Sequence, residues 1–112
     1  MSNKQLDWAN IGFGYIQTDK RYVSNYKNGA WDEGGLTEDA NIVLNECAGV
    51  LQYAQTIFEG LKAYRTEDGK IVTFRPDLNA QRMIDSAKRL EMPPFPADKF
   101  VEAVEQVVAA NA

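Results

Sequence analysis

The sequence contains no histidine and only one cysteine, Cys47, in 112 residues. Without histidine, the chain has no His-based catalytic triad, no histidine general base and no histidine metal ligand. A single cysteine excludes an intrachain disulfide, and Cys47 has no Cys-x-x-Cys partner that would indicate a redox or metal role. Chemistry in which this chain takes part therefore depends on carboxylates, lysine, tyrosine, arginine or a cofactor.

Long apolar runs are also absent. No stretch approaches 18 apolar residues, so no membrane-spanning helix is predicted, and the first seven residues lack the apolar core of a secretory signal. Acidic residues outnumber basic residues by 16 to 12, which gives a net charge of −4 and argues against nucleic acid or an anionic membrane as the main partner. The length and the proportions of apolar and charged residues fit one globular domain. The single cysteine fits a reducing compartment, so we expect a cytoplasmic location.

Strand and turn signals dominate the first two-thirds of the chain. β-Prone residues at 22–26, the turn-prone residues 27–29 and Trp31 predict a hairpin that ends at Gly34 and Gly35. A second hairpin joins residues 61–65 to residues 71–74 through an Asp-Gly turn. Residues 42–44 are interpreted as a strand, and for residues 48–54 a short helix and a turn both remain open.

Two amphipathic helices follow. The first opens at Pro76 and Asp77, with Asp77 predicted as the N-cap, and ends before the proline-rich residues 92–96. The second starts at Asp98. Each carries an apolar stripe at helical spacing, formed in the first by Ala80, Met83, Ile84, Ala87 and Leu90, and in the second by Phe100, Val101, Val104, Val107 and Val108. The predicted fold class is α+β, with helices packed on one face of an antiparallel sheet.

Two runs carry a family resemblance: residues 52–64 (QYAQTIFEGLKAY) and residues 74–83 (FRPDLNAQRM). In that order, with a short hairpin between them, they resemble the branched-chain amino-acid aminotransferases, which are pyridoxal-phosphate enzymes of fold type IV. Residues 86–93 (SAKRLEMP) extend the resemblance, as do Gly12-Phe13-Gly14 and Thr18-Asp19. It covers most of residues 12–112, but only about the first third of the family's chain.

The resemblance implies that residues 1–112 are the small N-terminal domain of a longer enzyme. Such enzymes transfer the amino group of leucine, isoleucine or valine to 2-oxoglutarate with pyridoxal 5'-phosphate as cofactor. In the family, the Schiff-base lysine lies in the large C-terminal domain, and none of the seven lysines here, including Lys62, matches its motif. We therefore expect the chain to be inactive alone, and to have as partners its own large domain and a second subunit of a homodimer.

Arg82 is the main candidate site residue. The arginine at the matching position of the family binds the cofactor phosphate, a role suited to a planar, permanently charged guanidinium. Judged by spacing alone, Arg82 would instead be a solvated arginine beside the apolar stripe of its helix. Glu59 is interpreted as a surface carboxylate, because a single carboxylate is a weak catalytic signal. For Gly60, a special backbone conformation and a plain turn both remain open.

Three aromatic residues match walls of the family's substrate pocket: Tyr53, Phe58 and Phe13. An apolar pocket with a tyrosine tip suits branched aliphatic side chains. Taken without the resemblance, Tyr53 and Phe58 would be ordinary core aromatics. For the whole protein two alternatives stay open. One is another fold type IV enzyme, either a D-amino-acid aminotransferase or an aminodeoxychorismate lyase, and the other is a stand-alone interaction module derived from this domain.

Overall fold

The computed structural model describes residue 12 and residues 14–112. Within this part of the chain, short antiparallel strand pairs precede and flank a short helix, and two longer helices follow. The elements in chain order are β1 (Arg21–Val23), β2 (Tyr26–Lys27), β3 (Ala30–Trp31), β4 (Gly35–Thr37), α1 (Gly49–Tyr53), β5 (Ala63–Arg65), β6 (Ile71–Thr73), α2 (Pro76–Arg89) and α3 (Ala97–Asn111). No helix in the described residues has the length and apolar character needed to cross a membrane.

Both predicted hairpins are confirmed. β2 pairs with β3 around Asn28 and Gly29, whose φ angles of 53° and 82° are those of a tight hairpin turn. β5 pairs with β6 around a turn in which Gly69 has a φ of 87° and donates its N–H to the Thr66 carbonyl at 3.0 Å. Both turns use a positive φ at glycine, where an L side chain would add strain.

β1 and β4 enclose the first hairpin. They pair antiparallel, with Tyr22 opposite Leu36. The Asp32 carboxylate accepts the backbone N–H groups of Asn25 at 3.1 Å and Gly34 at 2.9 Å, and so ties the ends of the inner hairpin together. Gly35 is therefore the first residue of β4 and not only a break after Trp31.

The α+β class is confirmed, but the prediction of one sheet beneath the helices is wrong. Among the described residues, the strands form three separate two-stranded pairs. Helix α3 packs on β1 and β4, and α2 packs on α3. The predicted strand at residues 42–44 is also not formed: no strand in the part of the chain that the structure describes pairs with it, and its Ile42 and Val43 are 82% and 96% exposed. Strand propensity without a partner strand does not make a sheet.

Helix α2 begins at Pro76, where the sequence predicted its opening, but its cap differs from the prediction. Asp77 is not the N-cap of α2: Pro76 occupies the first helical turn and Arg75 is the N-cap, with a φ of 48° and no capping side-chain bond. Asp77 instead accepts two hydrogen bonds from the Arg75 guanidinium, at 3.0 and 2.8 Å. α3 begins at Ala97, one residue before Asp98. At the other end of α2, the Met92 N–H reaches the Ala87 carbonyl at 2.8 Å, which closes the helix.

The packed centre lies on α2. Ala80 and Ala87 are 1% and 2% exposed, and their spacing of seven residues puts them on one face of the helix. The proline-rich linker is held by Trp31, which donates its indole N–H to the Pro94 carbonyl at 3.0 Å and meets the Phe95 ring edge-on at 5.0 Å. This packing fixes the linker that follows α2, the helix that carries Arg82.

Candidate functional site

Arg82 lies in the second turn of α2 and forms a forked ion pair with Glu59. Its Nε donates to Glu59 Oε1 at 2.5 Å, and its Nη2 donates to Oε2 at 2.6 Å. The partner comes from the irregular segment between α1 and β5, 23 residues earlier in the chain. A planar guanidinium and a carboxylate match each other in this side-by-side arrangement, which fixes orientation as well as distance.

The two members of this pair differ sharply in exposure. The Arg82 side chain is 66% exposed, whereas the Glu59 side chain is 6% exposed. The interpretation of Glu59 as a surface carboxylate is therefore wrong: the carboxylate is covered, and its charge is compensated by hydrogen bonds. The distance in sequence between Glu59 and α2 concealed this pairing.

Asn79 supports Glu59 from the preceding turn of α2. Its Nδ2 donates to Glu59 Oε2 at 3.1 Å and to the Gly60 carbonyl at 3.0 Å. Asn79 and Arg82 are three residues apart and therefore share a face of the helix. Together they bind both the side chain of Glu59 and the backbone of the residue that follows it.

The ion pair shifts the pKa values of Glu59 and Arg82 in the directions that favour their charged forms. The hydrogen bond from Arg82 is the main cause that lowers the pKa of Glu59 below its ordinary value of 4.5, while the covering of the carboxylate opposes the shift. The pKa of Arg82 is raised above its ordinary range by the hydrogen bond and charge of Glu59. Glu59 is therefore ionised at neutral pH and is not suited to act as a general acid.

The Arg82 guanidinium keeps an outer edge for a ligand. Nε and Nη2 form the edge that faces Glu59, and in the described part of the chain no acceptor bonds Nη1. The outer edge, made of Nη1 and the second N–H of Nη2, is a forked donor of the kind that binds phosphate or carboxylate. The arrangement therefore presents an oriented cation to an anionic group.

Tyr53 and Phe58 are not core aromatics in this chain. Tyr53, the last residue of α1, is 87% exposed, and Phe58 is 92% exposed. Large apolar side chains left in solvent in this way are available to contact a ligand or another protein segment. The third predicted wall residue, Phe13, lies outside the described residues.

The segment that carries these aromatics is anchored at both ends. Gln55 donates its side-chain amide to the Leu90 carbonyl at the end of α2, at 2.9 Å, and the Asn79 bond to Gly60 holds the other end. Gly60 itself has neither a positive φ nor an atom within 4 Å of a Cβ placed on it. Within the described residues the structure thus gives no steric reason for glycine there.

Sequence reasoning missed Glu59 and Asn79 as members of the site. For Asn79 a usable signal was present, since its spacing of three from Arg82 puts both on one helix face. For Glu59 no local signal existed, because the contact joins an irregular segment to a helix across the intervening hairpin.

The chain is similar in sequence to known aminotransferases. It is 52% identical over 108 residues to the branched-chain-amino-acid aminotransferase of Haemophilus influenzae and 46% identical over 108 residues to that of Helicobacter pylori. It is also 48% identical over 107 residues to methionine aminotransferase BCAT4 of Arabidopsis thaliana. No family model matches the chain.

These matches cover nearly all of this chain and a minor part of each relative. They include 96% of the chain in both bacterial comparisons and 95% in the plant comparison. The chain spans 32% of the length of either bacterial relative and 30% of the plant relative.

Proposed function

We propose that this chain, a homologue of branched-chain-amino-acid aminotransferases over about a third of their length, is the small domain of such an enzyme. The complete enzyme would transfer the amino group of leucine, isoleucine or valine to 2-oxoglutarate. In this proposal Arg82 binds the phosphate of pyridoxal 5'-phosphate, and Tyr53, Phe58 and Phe13 wall the substrate pocket. The observation that carries the proposal is the oriented, exposed guanidinium of Arg82 within a segment about half identical to these enzymes.

The residues present fit the phosphate end of the cofactor. A phosphate carries negative charge and acceptor oxygens, and the outer edge of Arg82 offers forked, permanently charged donors. When bound, the cofactor supplies the electron sink for amino-group transfer. The contribution of this chain is to hold the phosphate and so to fix the position of the ring relative to the substrate.

The exposed aromatics support an apolar substrate site. Side chains such as Phe58, which stand in solvent here, are suited to cover an aliphatic substrate once the remaining walls are supplied. One relative is named a methionine aminotransferase and two are named branched-chain enzymes. Substrate choice is therefore assigned to residues outside this segment or to small differences within it, consistent with the modest energy that one methylene contributes.

The proposal assigns the remaining parts of the enzyme to other segments. The Schiff-base lysine would come from a large domain that follows this one, so the 112-residue chain alone should form no stoichiometric lysine adduct with the cofactor. A second subunit would complete the pocket in a cytoplasmic homodimer. Borohydride reduction after mixing with pyridoxal 5'-phosphate, followed by mass spectrometry, tests this point. Quantitative labelling of a single lysine would contradict it.

The central test is a chimera in which this chain replaces the matching residues of the Haemophilus influenzae enzyme. We expect the chimera to bind pyridoxal 5'-phosphate and to transaminate leucine. Arg82→Ala should raise the cofactor dissociation constant about tenfold or more, because a charge-assisted hydrogen bond contributes about 1.5–3 kcal/mol. Arg82→Lys should recover part of the loss, since a point charge cannot form the forked contact.

Arg75→Ala is the matched control. Arg75 also forms a forked pair with a carboxylate, that of Asp77, and its side chain is 56% exposed. It has no assigned phosphate role, so cofactor affinity should not change. Unchanged affinity in Arg82→Ala would show that Arg82 is a solvated helix residue, and a loss confined to Arg75→Ala would show that the other arginine binds the phosphate.

A further inference from the structure

We infer that Glu59 is a positioning residue for phosphate binding: it holds the inner edge of the Arg82 guanidinium so that the outer edge faces the ligand. This inference rests on the proposed function, because it concerns the phosphate role of Arg82. It adds a specific task for a carboxylate that the sequence alone did not single out. Asn79 takes part by holding Glu59.

Among the described residues, Glu59 divides the Arg82 guanidinium into a bonded inner edge and a free outer edge. Both Glu59 oxygens are engaged by Nε and Nη2 at 2.5 and 2.6 Å. A guanidinium held by this edge can rotate little, because both bonds lie in its plane. The donors on the outer edge then point in one direction before a ligand arrives, and the ligand need not bear the cost of ordering a long, flexible side chain.

The Glu59 carboxylate is itself held in place by a neighbouring side chain. Glu59 is covered on all but 6% of its side-chain surface, and Asn79 bonds both its Oε2 and the next carbonyl, at 3.1 and 3.0 Å. A carboxylate that served only to neutralise a surface arginine would not require this second layer of bonds. Hydrogen bonds therefore run from Asn79 through Glu59 to Arg82, and the first and last of these residues both lie on α2.

A carboxylate beside the cation also repels an anion, and this effect opposes the first. Both Glu59 oxygens are bonded by the Arg82 guanidinium, and Oε2 also accepts from Asn79, so the negative charge of Glu59 is compensated and the repulsion is weakened. Orientation is not weakened in this way, since it depends on bond geometry. The net effect of Glu59 on phosphate affinity is therefore favourable, and the sign of the effect distinguishes positioning from competition for the same guanidinium.

The test is a double-mutant cycle in the chimera, read as the dissociation constant for pyridoxal 5'-phosphate in wild type, Glu59→Gln, Arg82→Ala and the double variant. Glu59→Gln keeps the size of the side chain but replaces one acceptor oxygen with a donor, so the fork is lost. Affinity should fall roughly three- to tenfold, because binding must now order the arginine. In the Arg82→Ala background the same substitution should have no weakening effect.

A second measurement follows orientation directly, in the 112-residue chain without cofactor. The Arg82 Nε–H should give a slowly exchanging NMR signal in wild type that loses its protection in Glu59→Gln. Glu59→Asp, which keeps the charge but shortens the side chain, should retain part of the protection and part of the affinity. Asp77→Asn is the matched control: it removes the carboxylate of the Arg75 pair and should change neither reading.

The outcomes separate the two hypotheses. If Arg82→Ala leaves cofactor affinity unchanged, the proposed phosphate role fails. If Arg82→Ala weakens binding but Glu59→Gln has no effect or strengthens it, only the positioning role is overturned. An equal loss from Glu59→Gln in both backgrounds would indicate a general structural role and would also overturn it. If the chimera does not fold, an unprotected Arg82 Nε–H in the wild-type chain is sufficient to reject the inference.

Discussion

On the face that α2 turns toward α3, apolar side chains are buried or half-buried, whereas between residues 42 and 74 many large apolar side chains lie in solvent. Ala80 and Ala87 represent the first region, and Val43, Phe58 and Phe74, which are 86–96% exposed, represent the second. Both regions are rich in apolar residues, so composition does not separate them. The difference is that the helices have each other to pack against, while few of the described residues cover the second region.

The comparison assigns different tasks to the two regions. The helical layer contains the packing of α2 on α3 and of α3 on the β1–β4 pair. The second region contains the run of residues 52–64 that resembles the aminotransferases, and it is linked to α2 by a few polar contacts, chiefly those of Glu59 and Gln55. Substitutions in the first region should therefore affect folding, and those in the second should affect binding.

The largest expected effect on stability comes from overpacking the helical layer. Ala87→Leu adds volume at a position that is 2% exposed, and it should reduce the free energy of unfolding by about 1–3 kcal/mol. Ala109→Leu on the exposed side of α3 is the matched control, with an expected change within about 0.5 kcal/mol. Urea unfolding followed by circular dichroism measures both. Equal effects would mean that the layer is not closely packed.

A pair of phenylalanine substitutions compares the regions with the same chemical change. Phe95→Ala removes a ring that packs edge-on against Trp31 at 5.0 Å and should cost about 1–3 kcal/mol, less than a fully buried phenylalanine. Phe58→Ala removes a ring that is 92% exposed and should change stability by less than about 0.5 kcal/mol. A comparable loss from Phe58→Ala in thermal unfolding would show that the second region also contributes to the core.

The smallest expected effect is a change in the pH dependence of stability. Because the folded-state pKa of Glu59 lies below its ordinary value of 4.5, its contribution is fully present above about pH 4.5 and is lost as the pH falls through the lowered value. Glu59→Gln lacks this loss, so its unfolding midpoint in urea should fall less steeply on acidification than that of wild type.

The pKa values of Asp32, Asp68 and Asp77 are also lowered, so these residues too lose their contribution to stability on acidification. Wild type and Glu59→Gln both contain them, so their contributions cancel when the two pH curves are compared. Parallel curves for wild type and Glu59→Gln would show that the ion pair with Arg82 does not persist in solution.

Local features of the fold were predictable where neighbouring residues determine them. The two hairpins have turns at Asn28-Gly29 and Asp68-Gly69, which need only backbone conformations that those residues favour. The α2 and α3 stripes repeat at helical spacing, and a proline-rich linker separates them. The strand predicted at residues 42–44 was wrong because β propensity takes effect only when a partner strand lies alongside.

The candidate site was predictable in part. Arg82 as a phosphate ligand and Tyr53 and Phe58 as pocket walls came from the resemblance, and they remain predictions. The expectation of core packing for the two aromatics was wrong, because the residue type shows that a side chain is apolar but not whether other parts of the chain cover it. Glu59 was assigned to the surface for the corresponding reason: its cover comes from α2, distant in sequence.

The sequence by itself determined the α+β class, both hairpins, the two amphipathic helices and the relation to the aminotransferases, since turn chemistry, periodicity and ordered motifs are properties of the chain. Tertiary structure alone decided that the strands remain separate pairs, that Phe58 stands in solvent, and that Glu59 is covered and paired with Arg82. These outcomes depend on contacts between residues far apart in the chain, such as the 23 positions between Glu59 and Arg82. Burial and the resulting pKa of a carboxylate are set by those contacts rather than by its neighbours in sequence.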